Sequence, residues 1–233
     1  MKKKILGLVG GIGPESTVDY YKMIIKKYRE KSGNGNYPEF LINSINMTAM
    51  LSYVQENKFK ELILYFAYEI KKLEMAGAGF TALASNTPHI VFDQLQNSVN
   101  IPMISIVEET IKYISEKKIE KVGLFGTMFT MNAGFYQKVG EKYSVEVITP
   151  GQKDKEFIHE KYFSELVAGI IKDDTREMLR KIAETLKDQH NITGLVLGGT
   201  ELPLILKQEN FLDIELLNTS EIHVDSIVNK MLS

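Results

Sequence analysis

Residues 80–89 read Phe-Thr-Ala-Leu-Ala-Ser-Asn-Thr-Pro-His, and residues 195–202 read Leu-Val-Leu-Gly-Gly-Thr-Glu-Leu. Each stretch begins as a short apolar run, which is typical of a buried strand. Each then continues through a small or polar loop into Thr beside a polar residue, which is typical of the start of a helix. The two stretches therefore predict the same strand–loop–helix unit, made twice in the chain.

A second pair of motifs supports an internal repeat. Gly7-Leu8-Val9-Gly10 returns as Gly123-Leu124-Phe125-Gly126, at nearly the spacing that separates the first pair. Short apolar runs alternate with longer amphipathic segments along the chain, and this pattern predicts parallel sheets covered by helices. We expect an α/β protein of two similar lobes related by a pseudo-twofold, with a ligand cleft between them. The first lobe would take residues 1–102 and about 210–233, and the second 103–209.

The loop after the first predicted strand, at 10–17, reads Gly-Gly-Ile-Gly-Pro-Glu-Ser-Thr. It lacks the third glycine of a dinucleotide-binding loop and the Gly-Lys-Ser/Thr of a phosphate-binding P-loop. A tight turn with backbone N–H groups, followed by a helix start near Ser16, would suit a carboxylate. An ordinary strand-to-helix turn is the alternative.

Composition excludes several classes of function. The chain has 233 residues, of which 44% are hydrophobic, and a net charge of -2, so it has no general attraction for nucleic acid or a membrane surface. Without a bilayer-length apolar stretch or a signal-peptide pattern, we expect a cytoplasmic protein. The absence of cysteine excludes disulfides, thiolate metal sites and thiol nucleophiles. No His, Asp and Glu cluster has the spacing of a metal site, so we expect no metal.

Several polar residues could carry chemistry, and each also has a structural interpretation. His89 follows Pro88 at a predicted first helical turn and could be an acid–base group or a packing residue. Glu201 could act on a ligand or simply complement a helix dipole. His159 and Lys161 could reach a ligand or face water. His223 opens the last predicted helix, for which Ser220 is the expected cap.

Taken together, the motifs resemble the aspartate/glutamate racemase family over nearly the whole chain. They are the stretches at 10–17, 84–89, 123–127 and 197–202, with Ile222-His223. The resemblance implies two similar lobes, usually in a homodimer, that bind a small acidic amino acid or dicarboxylate without pyridoxal phosphate or any other cofactor. It also implies that the C-terminal segment returns to the first lobe.

The family moves the substrate α-proton with two thiols, and their positions match Ser85 and Gly199 here. Neither residue can replace a thiolate by itself, because serine needs an activating base and glycine has no side chain. The residues that could substitute as a base are His89, His159 and Glu201. The residues expected at the substrate are Gly11, Gly13, Ser16, Thr17, Asn86, Thr87, Thr127, Thr200, Lys161 and His223.

Three interpretations follow from the missing thiols. The chain could racemise or isomerise an acidic amino acid with a different base. It could instead be a catalytically inactive binding or regulatory module for a small carboxylate. Engineered replacement of two cysteines is the third, although glycine would be an unusual choice at position 199.

Overall fold

The structure is a computed structural model that describes residues 4–33, 35–211 and 213–233. The chain forms two compact units. Unit 1 comprises Met1–Ile106 and His223–Ser233, and unit 2 comprises Val107–Ile222. Within the described residues, no helix is both long and apolar enough to cross a bilayer.

Unit 1 is built on a four-stranded parallel sheet in the order β2-β1-β3-β4. Its strands are β1 (Leu6–Gly10), β2 (Phe40–Ser44), β3 (Phe80–Leu83) and β4 (Met103–Ile104). In the centre of the sheet, Leu8 is in register with Ile42 on one side and with Ala82 on the other. All residues of β1 and β3 are buried, as expected for central parallel strands covered on both faces.

The helices of unit 1 are α1 (Pro14–Ser32), α2 (Met47–Gln55), α3 (Phe59–Met75) and α4 (Phe92–Ser98), with a 3-10 turn at Thr87–Val91. On α3, Leu62, Phe66 and Ile70 repeat every fourth residue and are buried, whereas Leu64 and Tyr68 are exposed. This spacing gives α3 one apolar face for the core of unit 1.

Unit 2 repeats the plan with a parallel sheet in the order β6-β5-β7-β8. Its strands are β5 (Lys121–Gly126), β6 (Glu146–Ile148), β7 (Gly194–Gly198) and β8 (Glu215–Asn218). Its helices are α5 (Ile106–Glu116), α6 (Met128–Asn132), α7 (Phe135–Lys142), α8 (Gln152–Ser164), α9 (Asp173–His190) and α10 (Leu202–Ile205). The last helix, α11 (Thr219–Leu232), begins in unit 2 and ends in unit 1.

The shared strand order explains why two loops meet in each unit. In both sheets the first strand lies between the second and the third, so the order in which strands are added to the sheet reverses at this point. Loops that leave adjacent parallel strands at such a switch point lie side by side at the carboxyl edge of the sheet. The repeat read from the sequence therefore brings the loops after β1 and β3 together in unit 1, and those after β5 and β7 in unit 2.

The unit boundaries differ from those expected from the sequence. Strand β8 pairs in parallel with β7, with Leu195 in register with Leu216, so residues near 210–218 belong to unit 2. The chain returns to unit 1 only at His223. There, Val224, Ile227 and Val228 of α11 join the core cluster that contains Leu6. Because β8 is hydrogen-bonded to β7, the chain returns to unit 1 about a dozen residues later than the sequence alone predicted.

The N-terminus of α11 is capped by Asn218, not by Ser220. The Asn218 Oδ1 accepts the N–H groups of Ser220 at 3.1 Å and Glu221 at 3.4 Å. The Ser220 hydroxyl is buried and has no hydrogen-bond partner among the described residues. The sequence suggested Ser220 because serine is a favoured cap, but Asn218 is equally favoured and lies directly before the helix.

This difference gives a stability test. Asn218→Ala is expected to lower the free energy of unfolding by about 1 kcal/mol, the usual value of an N-cap side chain. The matched change Ser220→Ala is expected to be neutral or slightly stabilising, because it removes an unsatisfied buried hydroxyl. Urea unfolding of both variants measures the difference, and a larger loss for Ser220→Ala would contradict this assignment of the cap.

Candidate functional site

The loop after β1 is closed by Thr17. The Thr17 hydroxyl accepts the Gly11 N–H at 2.8 Å and donates to the Gly13 carbonyl at 3.2 Å. Gly11 has a φ of +76°, and a Cβ there would lie 2.5 Å from the Ile45 carbonyl oxygen, so only glycine fits. Ser16 is buried on the first turn of α1. The expected residues Gly11, Gly13, Ser16 and Thr17 are therefore gathered in one turn, in which the Gly11 N–H is already used.

The loop after β3 places Ser85 at the same carboxyl edge. Ser85 is half-buried, whereas Asn86 and Thr87 are buried. The Asn86 carbonyl accepts the N–H of His89 at 2.9 Å, which begins the 3-10 turn. Ser85, Asn86 and Thr87 thus lie together beside the β1 loop, as the repeat predicts.

His89 is a neutral, packed imidazole. Its Nε2 accepts the Ile106 N–H at 3.3 Å, and its ring stacks on Phe92 with centroids 4.9 Å apart. Burial, assisted by His223, lowers the pKa of His89 to about 3, although backbone hydrogen bonds to Asn86 and Ser85 act in the opposite direction. The ring therefore supports the packing of unit 1 with one nitrogen already committed.

His223 has a protein partner on each ring nitrogen. Its Nδ1 is 2.9 Å from the Tyr20 hydroxyl, and its Nε2 is 3.0 Å from the Ile104 carbonyl oxygen. Since a carbonyl only accepts, Nε2 carries the proton and Tyr20 donates to Nδ1. Burial lowers the pKa of His223 to about 4, so this link between α1, β4 and α11 is uncharged near neutral pH.

In unit 2, the loop after β5 is joined to α8 by a histidine. Thr127 caps α6 by accepting the Thr130 N–H at 3.2 Å. The next N–H, that of Met128, is donated to His159 Nδ1 at 3.1 Å. Since Nδ1 accepts, the ring proton is on Nε2. Partial burial lowers the pKa of His159, so its neutral form is favoured.

The space beside Gly199 is filled by Tyr162. A Cβ atom on Gly199 would lie 3.1 Å from Cζ and 3.3 Å from Cδ2 of Tyr162, and closer still to Cε2. These separations are too short for a real side chain, so position 199 accepts only glycine while the ring stays in place. The sequence suggested that Gly199 leaves this part of the site blank, and the structure shows an aromatic ring there.

Tyr162 also belongs to a polar cluster with the buried Glu201 and the half-buried Thr200. The Tyr162 hydroxyl donates to Glu201 Oε2, and the Thr200 hydroxyl donates to the same oxygen at 2.7 Å. Tyr162 is 7% exposed and Glu201 is 5% exposed. Burial, followed by the charge of Glu201, raises the pKa of the Tyr162 phenol well above 10. The cluster holds a carboxylate and a protonated phenol at the carboxyl edge of β7.

Lys161 lies in an ion-pair group on α8. Its Nζ is 3.1 Å from Glu160 and 3.5 Å from Glu165, and the hydrogen bond to Glu160 is the main cause of its raised pKa. Glu165 also accepts the Thr175 hydroxyl at 2.6 Å. Lys161 is therefore held by acids of its own helix segment, whereas His159 and Tyr162 contact the two loops at the strand ends.

Sequence reasoning missed two residues that organise these sites, Tyr20 and Tyr162. Neither lies in a loop motif, because Tyr20 contacts His223 from α1 and Tyr162 contacts Gly199 from α8. The available signal for Tyr162 was its spacing of three residues from His159, which places both on one face of α8. Its contact with Gly199 depends on tertiary packing and has no local signature.

Comparisons with known proteins match most of the length of this chain. The family model described as Asp/Glu/Hydantoin racemase matches residues 9–227. A broad specificity amino-acid racemase of Bacillus subtilis is 32% identical over 148 residues, which cover 62% of this chain and 63% of that protein. The match thus spans less than two thirds of that relative's length.

Two solved structures cover nearly the whole chain. An aspartate racemase homologue from Pyrococcus horikoshii is 38% identical with a TM-score of 0.83, and a candidate Asp/Glu racemase from Yersinia pestis is 29% identical with a TM-score of 0.91. Each alignment covers 99% of this chain and 100% of the other. With the family model matching from β1 into α11, the chain belongs to the Asp/Glu/hydantoin racemase family.

Proposed function

We propose that this chain is a cofactor-independent amino-acid isomerase that acts on a small acidic amino acid by removing and returning its α-proton without a thiol. The observation that carries the proposal is the family match over residues 9–227, which includes the carboxyl-edge loops of both units. The relatives named above support the ligand class, since their descriptions name aspartate, Asp/Glu and broad amino-acid racemases.

The polar groups of the loops support binding of a carboxylate. Asn86 and Thr87 in unit 1, and Thr127 in unit 2, place amide or hydroxyl groups at strand ends and helix starts, whereas the Thr200 hydroxyl already donates to Glu201. Such groups bind anions without a lysine or arginine, because they act together with the local backbone N–H groups. Lys161 and His223 contribute less in this proposal, since the protein itself already engages their polar atoms.

Among the possible substitute bases, Glu201 is favoured over the histidines. His89 uses Nε2 for the Ile106 N–H and has a pKa of about 3. His159 uses Nδ1 for the Met128 N–H and presents a protonated Nε2, which can donate but not accept. Glu201 combines a carboxylate with a position two residues from Gly199, where the family has its second base.

A catalytically inactive binding module is the second candidate. It is favoured by the Tyr162 ring, which fills the side-chain space at Gly199 and so removes the position of a thiol. In this alternative the chain would keep the ligand and lose the proton transfer. The homodimer and the cytoplasmic location expected from the sequence stay predictions under both candidates.

Proton exchange in D₂O distinguishes the two candidates. We expect the α-proton signal of aspartate or glutamate to decay in the presence of the protein, as followed by proton NMR on separate D and L samples. Leucine is the matched control ligand, because it has the amino-acid group without the second carboxylate, and it should exchange much more slowly.

Calorimetry on the same samples separates binding from turnover. Heat of binding with no α-proton exchange would leave the binding module and remove the isomerase proposal. Absence of both binding and exchange with every isomer of aspartate and glutamate would contradict the ligand class itself. A subsequent stabilisation test can use ligand-dependent thermal unfolding, because a ligand that binds only the folded state raises the midpoint.

A further inference from the structure

Tyr162 occupies the place that a side chain at position 199 would take. Its Cε2, Cζ and Cδ2 atoms surround the point where a Cβ on Gly199 would project. The ring belongs to the core cluster of unit 2, together with Phe125, Ile158 and Leu197, which fix its position. The Tyr162 ring therefore lies at the carboxyl edge of β7, in the space that a side chain at position 199 would occupy.

The functional atom of this group is the phenol oxygen. It donates its proton to Glu201 Oε2, which also accepts the Thr200 hydroxyl. A buried carboxylate in an apolar core is costly unless it accepts hydrogen bonds, and these two hydroxyls provide them. The packing thus keeps the Glu201 carboxylate in hydrogen-bond contact with the Tyr162 phenol proton.

We propose that Tyr162 and Glu201 together form the acid–base pair that takes the place of the second thiol, with the Tyr162 oxygen contacting the substrate α-proton and Glu201 storing a proton behind it. The inference rests on the proposed isomerase function and names the group that transfers the proton on one face of the α-carbon. Thr200 is a positioning residue for the carboxylate.

The proton transfer balances within the pair. The α-carbon–hydrogen bond of the amino acid breaks, and its proton forms a new bond to the Tyr162 oxygen. At the same time the original phenol proton moves to Glu201 Oε2, and the electron pair of the broken bond stays on the α-carbon. The reverse step returns a proton from the phenol to the carbon and restores the carboxylate.

The relay explains how a weak phenol can take part. Burial and the Glu201 carboxylate raise the pKa of Tyr162 well above 10, so a free phenolate is disfavoured near neutral pH. Passing the phenol proton to Glu201 while accepting another proton avoids the phenolate. The Glu201 carboxylate, which raises the pKa of Tyr162, is therefore also the group that accepts the phenol proton during the transfer.

An asymmetry between the two enantiomers follows. The pair serves one face of the α-carbon, so it removes the α-proton directly from only one of the two enantiomers. In D₂O we expect one enantiomer to lose its α-proton at least about tenfold faster than the other. Part of that enantiomer should exchange its α-proton for deuterium before the configuration of the α-carbon inverts.

The test compares two conservative variants with two matched controls. Tyr162→Phe keeps the ring and removes the phenol oxygen, and Glu201→Gln keeps the shape and removes the charge. Tyr143→Phe and Glu108→Gln each break a similar hydrogen bond, in which the Tyr143 hydroxyl donates to Glu108 at 2.8 Å. Both residues belong to the same unit, and Tyr143 lies just before the amino end of β6. All four variants are measured for α-proton exchange and for amino-acid affinity.

Each site variant is expected to slow exchange roughly 100-fold, the lower range for loss of a general acid–base group, with affinity changed less than about threefold. The controls should keep the wild-type rate. Wild-type exchange that persists within about twofold in Tyr162→Phe and Glu201→Gln would overturn the acid–base pair and leave the isomerase proposal standing. A wild-type chain that exchanges no α-proton would instead overturn the isomerase proposal, and the pair with it. If Glu201→Gln does not fold, Tyr162→Phe alone decides.

Discussion

Gly199→Ala is expected to destabilise the protein by roughly 2–6 kcal/mol, although it adds a single methyl group. The new Cβ would overlap the Tyr162 ring, and forcing extra volume into a packed core costs about 1–3 kcal/mol. Displacing the ring also weakens the hydrogen bond to Glu201, and an incompletely satisfied buried group costs about 1–3 kcal/mol more. Urea unfolding followed by circular dichroism measures the loss.

Gly151→Ala is the matched control. Gly151 belongs to the same unit, has a negative φ of -62° as the N-cap of α8, and has no atom within 4 Å of an added Cβ. This change is expected to cost only about 0.5–1 kcal/mol, because glycine is a somewhat better N-cap residue than alanine.

A double-mutant cycle assigns the cause. With Tyr162→Ala in the background, the Cβ at position 199 has room, and the additional cost of Gly199→Ala should fall below about 1 kcal/mol. An equal loss in both backgrounds would show that the ring does not limit position 199. The same reasoning implies that a cysteine at this position competes with Tyr162 for one volume, so a thiol site and the phenol–carboxylate pair exclude each other.

The strand–loop–helix repeat was predictable because it depends on local patterns. Buried central strands give continuous apolar runs, and the two matching strand orders follow from two matching sequences. The loops at Ser85 and Gly199 could be found for the same reason. The position of β8 could not, because its pairing with β7 depends on tertiary packing that a short apolar run does not specify.

The side-chain contacts of the candidate site were less predictable than the loops that carry it. A glycine in place of a thiol indicates only that a side chain is missing, and Tyr162 lies on α8, far from Gly199 in sequence. His89 and His223 show the opposite problem. Both are residues of a kind used in proton transfer. Yet the Ile106 N–H occupies one nitrogen of His89, and Tyr20 and the Ile104 carbonyl occupy both nitrogens of His223.

These two histidines make unit 1 sensitive to mild acid. Burial lowers the pKa of His89 to about 3 and that of His223 to about 4, from an ordinary value of 6.5. Because the unfolded chain then binds more protons than the folded chain between pH 6.5 and 4.5, stability must fall as the pH falls through this range. Each ring is expected to contribute a loss of about 2–3 kcal/mol by pH 4.5.

The pH window separates the histidines from the carboxylates. The Thr175 hydroxyl lowers the pKa of Glu165, so its contribution is present above the ordinary value of 4.5 and is lost only at lower pH. Chemical unfolding at intervals from pH 7.5 to 4.5 therefore reports mainly on His89 and His223, with a smaller contribution from the partly buried His159.

His223→Gln tests the contribution of one ring. Glutamine can donate to the Ile104 carbonyl and accept from Tyr20 without titrating, so this variant should lose about half of the pH dependence while staying folded at pH 7.5. His190→Gln, at the exposed end of α9, is the matched control and should keep the wild-type slope. An unchanged slope in His223→Gln would show that the ring is already charged or solvated in the folded protein, and the uncharged link between α1, β4 and α11 would have to be abandoned.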